Sequence, residues 1–142
     1  MTLTADNRAA LIGACPLFRG LVPADLAAVA ATAIEVDFPA ERVIARQGEI
    51  GTGFFIVVSG RVRVVRDGTV VVHLGPGEFF GELSILDGGP RVAQVVTDEP
   101  TVCLAIPSWD FERVLREEPG VALAVLKVVA ARLREVTSDH RT

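Results

Sequence analysis

The residues with the clearest chemical potential lie in the stretch Phe80–Arg91, which reads FGELSILDGGPR. Gly81 allows the backbone to approach a ligand closely, and the residues from Glu82 to Leu86 can form one helical turn whose first N–H groups bind an anion. Arg91 follows a Gly-Gly-Pro turn that leads the chain back toward this helical turn. Its guanidinium can therefore bind the same anion through two charge-assisted hydrogen bonds. The stretch is predicted to be an anion site.

Glu82 indicates that the ligand is more than a bare phosphate. A carboxylate repels an anion but accepts hydrogen bonds from a hydroxyl group, so the ligand is expected to carry both. Amides, an arginine and a glutamate together are typical of a sugar phosphate pocket. The residues alone leave a second interpretation open, in which Glu82 and Arg91 only pair with each other across the turn, at about 0 to 1 kcal/mol for a surface pair.

Short β-strands must hold this stretch in place. From Ile34 onward the chain consists of β-branched runs broken by Gly, Pro and Asp, a pattern typical of an antiparallel sandwich or barrel. The pairs Ser59-Gly60 and Asp67-Gly68 predict tight turns between antiparallel strands. In the second of these hairpins, Val62 and Val64 are expected to face the core.

Helices are predicted on both sides of the strands, over 4–13, 23–32, about 109–118 and about 120–137. The last of them carries two apolar stripes. One stripe contains Val121, Val125 and Val128, and the other contains Leu123, Leu126, Ala130 and Leu133. Either both stripes are buried within the domain, or one packs on the strands and the other on a second subunit.

Composition excludes several classes of protein. The 142 residues are enough for about one domain. A net charge of −4 and scattered arginines argue against a nucleic-acid partner, and the absence of a long apolar run argues against a membrane partner. The first residues do not resemble a secretory signal, so a cytoplasmic location is expected. Cys15 and Cys103 lie far apart and are expected to be buried apolar residues rather than ligands or nucleophiles.

The histidine content argues against an enzyme. A metal-dependent enzyme built on a β-barrel of the cupin kind needs two or three histidines and a carboxylate, whereas this sequence has only His73 and His140. No set of Ser, His and Asp or of paired carboxylates stands out. We therefore expect no catalytic residue, no metal ligand and no cofactor.

The segment GEFFGELSILDGGPRVAQVV closely resembles the phosphate-binding cassette of the cyclic nucleotide-binding domain family, which includes the catabolite activator protein and the regulatory subunits of cAMP-dependent protein kinase. The segments LFRGL, PADLAAVA, ERVIARQGE, GFFIVVSGRVRV and LGPGEFFGE extend the resemblance to about residues 15–135. The resemblance implies an eight-stranded antiparallel jelly roll with N-terminal helices and a C-terminal helical pair. One domain would span 1–142, with helices at about 4–32, the β-roll at about 33–107, the cassette at 77–95 and closing helices at about 108–137.

The resemblance also implies roles for individual residues. Glu82 would accept the ribose 2′-hydroxyl, and Arg91 would hold the cyclic phosphate beside Gly81. The amides of Leu83, Ser84 and Val92 would complete the phosphate cradle. The apolar wall of the base pocket would include Val64 and Val71, which can equally be plain core valines. The candidates for a residue that covers the base from the closing helix are Arg132, Leu133 and Val136.

Two positions depart from the family pattern. Many members carry Ser or Thr directly after the arginine or three residues after it, where this chain has Val92 and Gln94. A hydroxyl directly after the arginine is associated with guanine contact, so Val92 favours cAMP over cGMP as the ligand.

The function implied is a cyclic nucleotide sensor. It would pass ligand binding through its C-terminal helix to an effector protein or a fused domain, with a homodimer through that helix as a further expectation. Residues 137–142 are too few for a DNA-binding domain, so the chain would be either a free-standing sensor or the sensor piece of a longer polypeptide. The alternative is a degenerate jelly roll that binds no nucleotide and serves dimerisation or protein interaction.

Overall fold

The computed structural model describes residues 3–50 and 53–138, without the side chains of residues 83–85 and 138. The described residues form five α-helices, one 3₁₀ helix and eight strands. The helices are α1 (Ala5–Ala14), the 3₁₀ helix Pro16–Phe18, α2 (Pro23–Ala30), α3 (Glu82–Asp87), α4 (Ser108–Glu117) and α5 (Pro119–Ser138). The strands are β1 (Ile34–Phe38), β2 (Val43–Ala45), β3 (Gly53–Ser59), β4 (Val62–Arg66), β5 (Thr69–Leu74), β6 (Phe79–Phe80), β7 (Gln94–Thr97) and β8 (Thr101–Pro107).

The strands form two antiparallel sheets of four, in the orders β1-β8-β3-β6 and β2-β7-β4-β5. The predicted antiparallel jelly roll with flanking helices is thereby confirmed. Its tight turns are where the glycines indicated them, because Gly60, Asp67 and Gly68 have positive φ angles of 93°, 53° and 80°. Val62 is fully buried and Val64 is partly buried beside it, so this hairpin presents the expected face to the core.

Strand β3 separates two apolar cores because its side chains alternate between its two faces. On one face, Phe54 packs against Phe18 and Phe111, with ring centroids 5.6 and 5.5 Å away, and joins the roll to the helices. On the other face, Val57 belongs to a core inside the roll together with Phe80. The short strand β6 repeats this division, because Phe79 packs against the helical core.

Helix α5 buries one of its two predicted stripes. Val121 and Val125 are fully enclosed in the helical core, and Val128 packs against it. Leu123, Leu126 and Leu133 on the other stripe are exposed. No helix in the described ranges is long and apolar enough to cross a membrane.

Helix α3 contacts both α4 and β3, and α4 follows directly on β8. Near the start of α4, Trp109 is 66% exposed. The segment between β6 and β7 is therefore held on one side by the helical layer and on the other by the roll.

Candidate functional site

A cavity of about 240 Å³ opens beside β6 and the segment that leads into β7. Its strand side is apolar and is formed by Val64, Val72, Leu74, Phe79, Phe80 and Val95. Its opposite rim carries Gly81, Glu82, Arg91 and Val92. The cavity therefore combines an apolar wall with one acidic and one basic side chain, as a ligand with an apolar part and a charged part requires.

Gly81 is a point on the cavity rim at which the backbone passes close to other atoms. Its φ angle is 98°, and a Cβ atom at this position would lie 2.6 Å from the carbonyl oxygen of Gly53 and 2.9 Å from Nη1 of Arg91. Only glycine fits both this conformation and this space. The space that a side chain would occupy is the approach to the Arg91 guanidinium.

Arg91 is a buried cation, with 9% of its surface exposed. Its Nη2 donates a hydrogen bond of 2.9 Å to the carbonyl oxygen of Gly53. Burial lowers the pKa of Arg91, and the nearby Glu82 carboxylate opposes this effect without cancelling it. Among the described residues, no carboxylate forms an ion pair with Arg91. An anion in the cavity would compensate this charge.

The backbone of Arg91 is fixed by the loop that follows β2. The Arg91 N–H donates to the carbonyl oxygen of Glu49 at 2.7 Å, and the Gly48 N–H donates to the carbonyl oxygen of Arg91 at 2.8 Å. Ile50 and Pro90 form an isolated β-bridge next to them. The arginine is thus held at both its main chain and its guanidinium.

Glu82 pairs with Arg132 rather than with Arg91. It is the first residue of α3, its side chain is only 12% exposed, and its Oε1 lies 3.1 Å from Nη1 of Arg132. The Arg132 guanidinium carbon also lies 4.6 Å from the ring centroid of Phe79, a cation–π contact on the cavity wall. The interpretation in which Glu82 and Arg91 only pair with each other does not describe this structure.

Arg132 is the candidate from α5 that reaches the site. Leu133 and Val136, the other two candidates for covering the base, are 62% and 64% exposed. The sequence left the choice among the three open, because their spacing on one helix does not determine which face meets α3.

The expected place of Val71 on the cavity wall is wrong. In the register of the hairpin, Val64 lies opposite Val72 and Val65 lies opposite Val70, so Val71 is the extra residue of a bulge. Val71 is 52% exposed, and Val72 takes its place on the wall. Val64 does line the cavity. Leu74 and Phe79 also line the cavity and were not among the predicted residues, although their apolar character close to Gly81 was a usable signal.

The remaining predicted positions are Val92, Gln94, Leu83 and Ser84. Val92 lies on the cavity rim and is exposed. Gln94 begins β7 opposite Val65 and, by strand alternation, faces away from the cavity side of its neighbour Val95. The amides of Leu83 and Ser84 lie in the first turn of α3, and their role in the phosphate cradle stays a prediction.

His73, the histidine within the described residues, adds no catalytic group to the cavity. Nδ1 of His73 lies 2.9 Å from Oδ2 of Asp98 on the outer side of the roll, and His140 lies outside the described residues. Within the described part of the chain, no group of three or more His, Cys, Asp and Glu side chains is arranged to hold a metal ion.

The sequence of this chain matches a known protein family and parts of longer known proteins. A sequence model of the family described as "Cyclic nucleotide-binding domain" matches residues 35–118. The chain is 37% identical to a cyclic AMP receptor protein of Thermus thermophilus over 84% of its own length and 58% of that protein. It is 38% identical to a cyclic nucleotide-gated potassium channel of Mesorhizobium japonicum over 79% of its own length and 31% of the channel. The chain therefore corresponds to a part of each of these longer proteins.

Among solved structures, the chain is similar to the N-terminal domain of a transcriptional regulator from Streptomyces coelicolor A3(2). The TM-score is 0.81 at 31% identity, and the match covers 93% of this chain and 96% of that domain. The likeness extends over the roll and the helices on both sides of it.

Proposed function

Because this chain belongs to the cyclic nucleotide-binding domain family, we propose that it binds cyclic AMP in the cavity beside Arg91. The proposal rests mainly on Arg91, whose positive charge is buried without a carboxylate partner among the described residues. Arg91 is nine-tenths buried, its guanidinium donates to the Gly53 carbonyl, and it has no ion-pair partner among the described residues. A cyclic phosphate would supply the missing negative charge through charge-assisted hydrogen bonds.

The rest of the cavity fits the other parts of the nucleotide. The apolar side chains of Val64, Val72 and Val95 offer a surface for a purine base. Glu82 and Arg91 line the same cavity, so Glu82 can accept a hydrogen bond from a ribose hydroxyl while Arg91 binds the phosphate. Val92 offers no side-chain hydroxyl to a guanine, which favours cAMP over cGMP.

Helix α5 is the proposed route from the site to an effector. Arg132 connects α5 to Glu82 and Phe79, so a ligand that changes these two residues changes the contacts of the helix. The proposed effector is a partner protein or a domain fused to this one. The exposed stripe of Leu123, Leu126 and Leu133 supports a homodimer through α5 as part of the same proposal.

We also propose that the protein acts in the cytoplasm. Cys15 and Cys103 are free, buried thiols, and burial raises their pKa values to about 11 and about 12. Unpaired thiols are typical of proteins in reducing compartments. Their burial and raised pKa values also argue against a role for either cysteine as a nucleophile.

Calorimetric titration of cAMP, cGMP and AMP into the purified chain tests the proposal. We expect cAMP to bind most tightly and to stabilise the fold by about 2.7 kcal/mol at a hundredfold excess over Kd. Arg91→Ala should weaken cAMP binding by about 2 to 5 kcal/mol, and Arg91→Lys should recover only part of the loss because an ammonium lacks the planar fork. Arg66→Ala, at an exposed arginine of β4, serves as the control.

A domain that only dimerises is the second candidate, and the exposed stripe of α5 favours it. In that case millimolar cAMP would give neither heat nor a thermal shift, while light scattering would still report a dimer. If Arg91→Ala binds cAMP as tightly as the native chain, the phosphate binds at a site that does not include Arg91.

A further inference from the structure

A pair of side chains outside the cavity joins the β4–β5 turn to the loop after β2. Nε2 of Gln47 donates to Oδ1 of Asp67 at 2.8 Å, and the Asp67 N–H donates to Oε1 of Gln47 at 2.9 Å. The two bonds are reciprocal, so they fix both the position of the Gln47 amide and the conformation of the turn, in which Asp67 has a φ angle of 53°.

This pair crosses the beginning of β7. In the sheet order β2-β7-β4-β5, Ala45 at the end of β2 lies opposite Val95, and Val65 near the end of β4 lies opposite Gln94. The residue after β2 and the turn after β4 therefore lie on either side of the point where the chain enters β7. Gln47 and Asp67 are hydrogen-bonded to each other across the start of β7. This start directly follows the segment that contains Arg91 and Val92.

The same loop also holds Arg91 directly. Gly48 and Glu49, the two residues after Gln47, exchange backbone hydrogen bonds of 2.8 and 2.7 Å with Arg91. The hairpin on the other side of the pair carries Val64 and Val72 on the cavity wall. Gln47 therefore belongs to the loop that is hydrogen-bonded to Arg91, and its partner Asp67 belongs to the hairpin that carries the apolar wall.

We propose that Gln47, through Asp67, is a positioning residue that sets the arginine of the site relative to the apolar wall. The proposal rests on the proposed function, since it assigns to this pair a part in cyclic nucleotide affinity. Gln47 acts through the backbone at Arg91 and through the hairpin, without contact with the ligand. When the pair is lost, both halves of the cavity stay folded, but the distance between Arg91 and the apolar wall is no longer fixed.

A charge-swap cycle separates this role from a general effect on stability. Gln47→Glu places a carboxylate against the Asp67 carboxylate and breaks the bond from Nε2. Gln47→Glu combined with Asp67→Asn restores both bonds, because the introduced asparagine amide donates to the new carboxylate and the backbone N–H keeps its acceptor. Asparagine tolerates the positive φ angle, and the net charge of the double variant equals that of the native chain.

We expect Gln47→Glu to weaken cAMP binding by about three- to tenfold, as the loss of an exposed hydrogen bond predicts, and the double variant to return to within about twofold of the native Kd. Asp67→Asn alone keeps an acceptor for Gln47 and should lose less affinity than Gln47→Glu. The double variant is the matched control, since its failure to recover would assign the loss to the added carboxylate and overturn the proposal.

A second readout does not depend on ligand. Hydrogen exchange of the Arg91 and Gly48 amides should accelerate in Gln47→Glu and recover in the double variant, while the amide of Leu104 in the centre of the other sheet keeps its rate. Unchanged exchange at Arg91 in Gln47→Glu would overturn the proposal. If the native chain binds no cyclic nucleotide, the proposed function fails, and this exchange experiment still tests whether Gln47 positions Arg91.

Discussion

Nη1 of Arg132 lies 3.1 Å from Oε1 of Glu82, so α5 is joined to the first residue of the short helix α3 at the cavity rim. The two residues are fifty positions apart in the sequence. The Glu82 side chain is nearly buried, whereas Arg132 is partly exposed. A ligand hydroxyl that binds Glu82 must share the carboxylate with Arg132 or displace it, and in either case the contacts of α5 change.

Replacement of Arg132 by alanine should weaken cAMP binding by about two- to fivefold. Glu82 would lose the guanidinium that holds its carboxylate, a partly exposed ion pair worth at most about 1 kcal/mol. Because the effect acts through Glu82, the loss should be smaller for 2′-deoxy-cAMP. Arg134→Ala, on the same helix, is the control in the calorimetric titration. Equal losses for both ligands would contradict an effect through Glu82.

The ribose contact of Glu82 predicts a non-additive cycle. We expect 2′-deoxy-cAMP to bind the native chain about ten- to a hundredfold more weakly than cAMP, as the loss of a hydrogen bond to a charged acceptor predicts. Glu82→Ala should bind both ligands equally poorly. The four dissociation constants measure the coupling, and fully additive losses would show that Glu82 does not contact the 2′-hydroxyl.

Gly81→Ala should destabilise the fold more than the same change at Gly77. Both glycines have positive φ angles, 98° and 87°, which cost alanine about 1 to 2 kcal/mol. At Gly81 the new methyl group would also meet the Gly53 carbonyl and the Arg91 guanidinium, whereas at Gly77 it would meet no atom within 4 Å. Urea unfolding of the two variants gives the comparison. Equal losses of stability would mean that the backbone at Gly81 can shift without cost, and cAMP titration of Gly81→Ala then shows whether the site survives.

Arg63 should make the stability of the fold depend on pH in the acid range. Its guanidinium binds Glu41 and Asp98 at 2.7 Å each and lowers the pKa of both carboxyl groups below their ordinary values of 4.5 and 3.8. Carboxyl groups with lowered pKa values stabilise the fold above the ordinary values, and this contribution is lost as the pH falls through the lowered ones.

The free energy of unfolding should therefore differ between the native chain and Arg63→Gln at about pH 6 and converge toward about pH 3. Urea denaturation at several pH values measures the difference. Arg66→Gln on the same strand is the control, and a gap between native chain and Arg63→Gln that does not depend on pH would contradict the ion-pair explanation.

The parts of the site that could be predicted from the sequence are those encoded locally. Gly81, Glu82 and Arg91 lie within one short stretch, and the turn glycines define the strands around it. The position of Val72 in place of Val71 depends on a bulge between two strands, which residue types do not reveal. The pairing of Arg132 with Glu82 depends on how α5 packs against the roll. The sequence could not distinguish the buried stripe of α5 from the exposed one for the same reason.

Trp109 gives the molecule a built-in optical signal. It is the only tryptophan in a chain without tyrosine, so the intrinsic emission of the protein comes almost entirely from one indole. That indole is mostly exposed near the start of α4, the helix that α3 contacts, and α3 begins with Glu82. A rearrangement of α3 around a ligand should therefore alter the fluorescence intensity or wavelength of the unlabelled protein, which makes binding observable in real time.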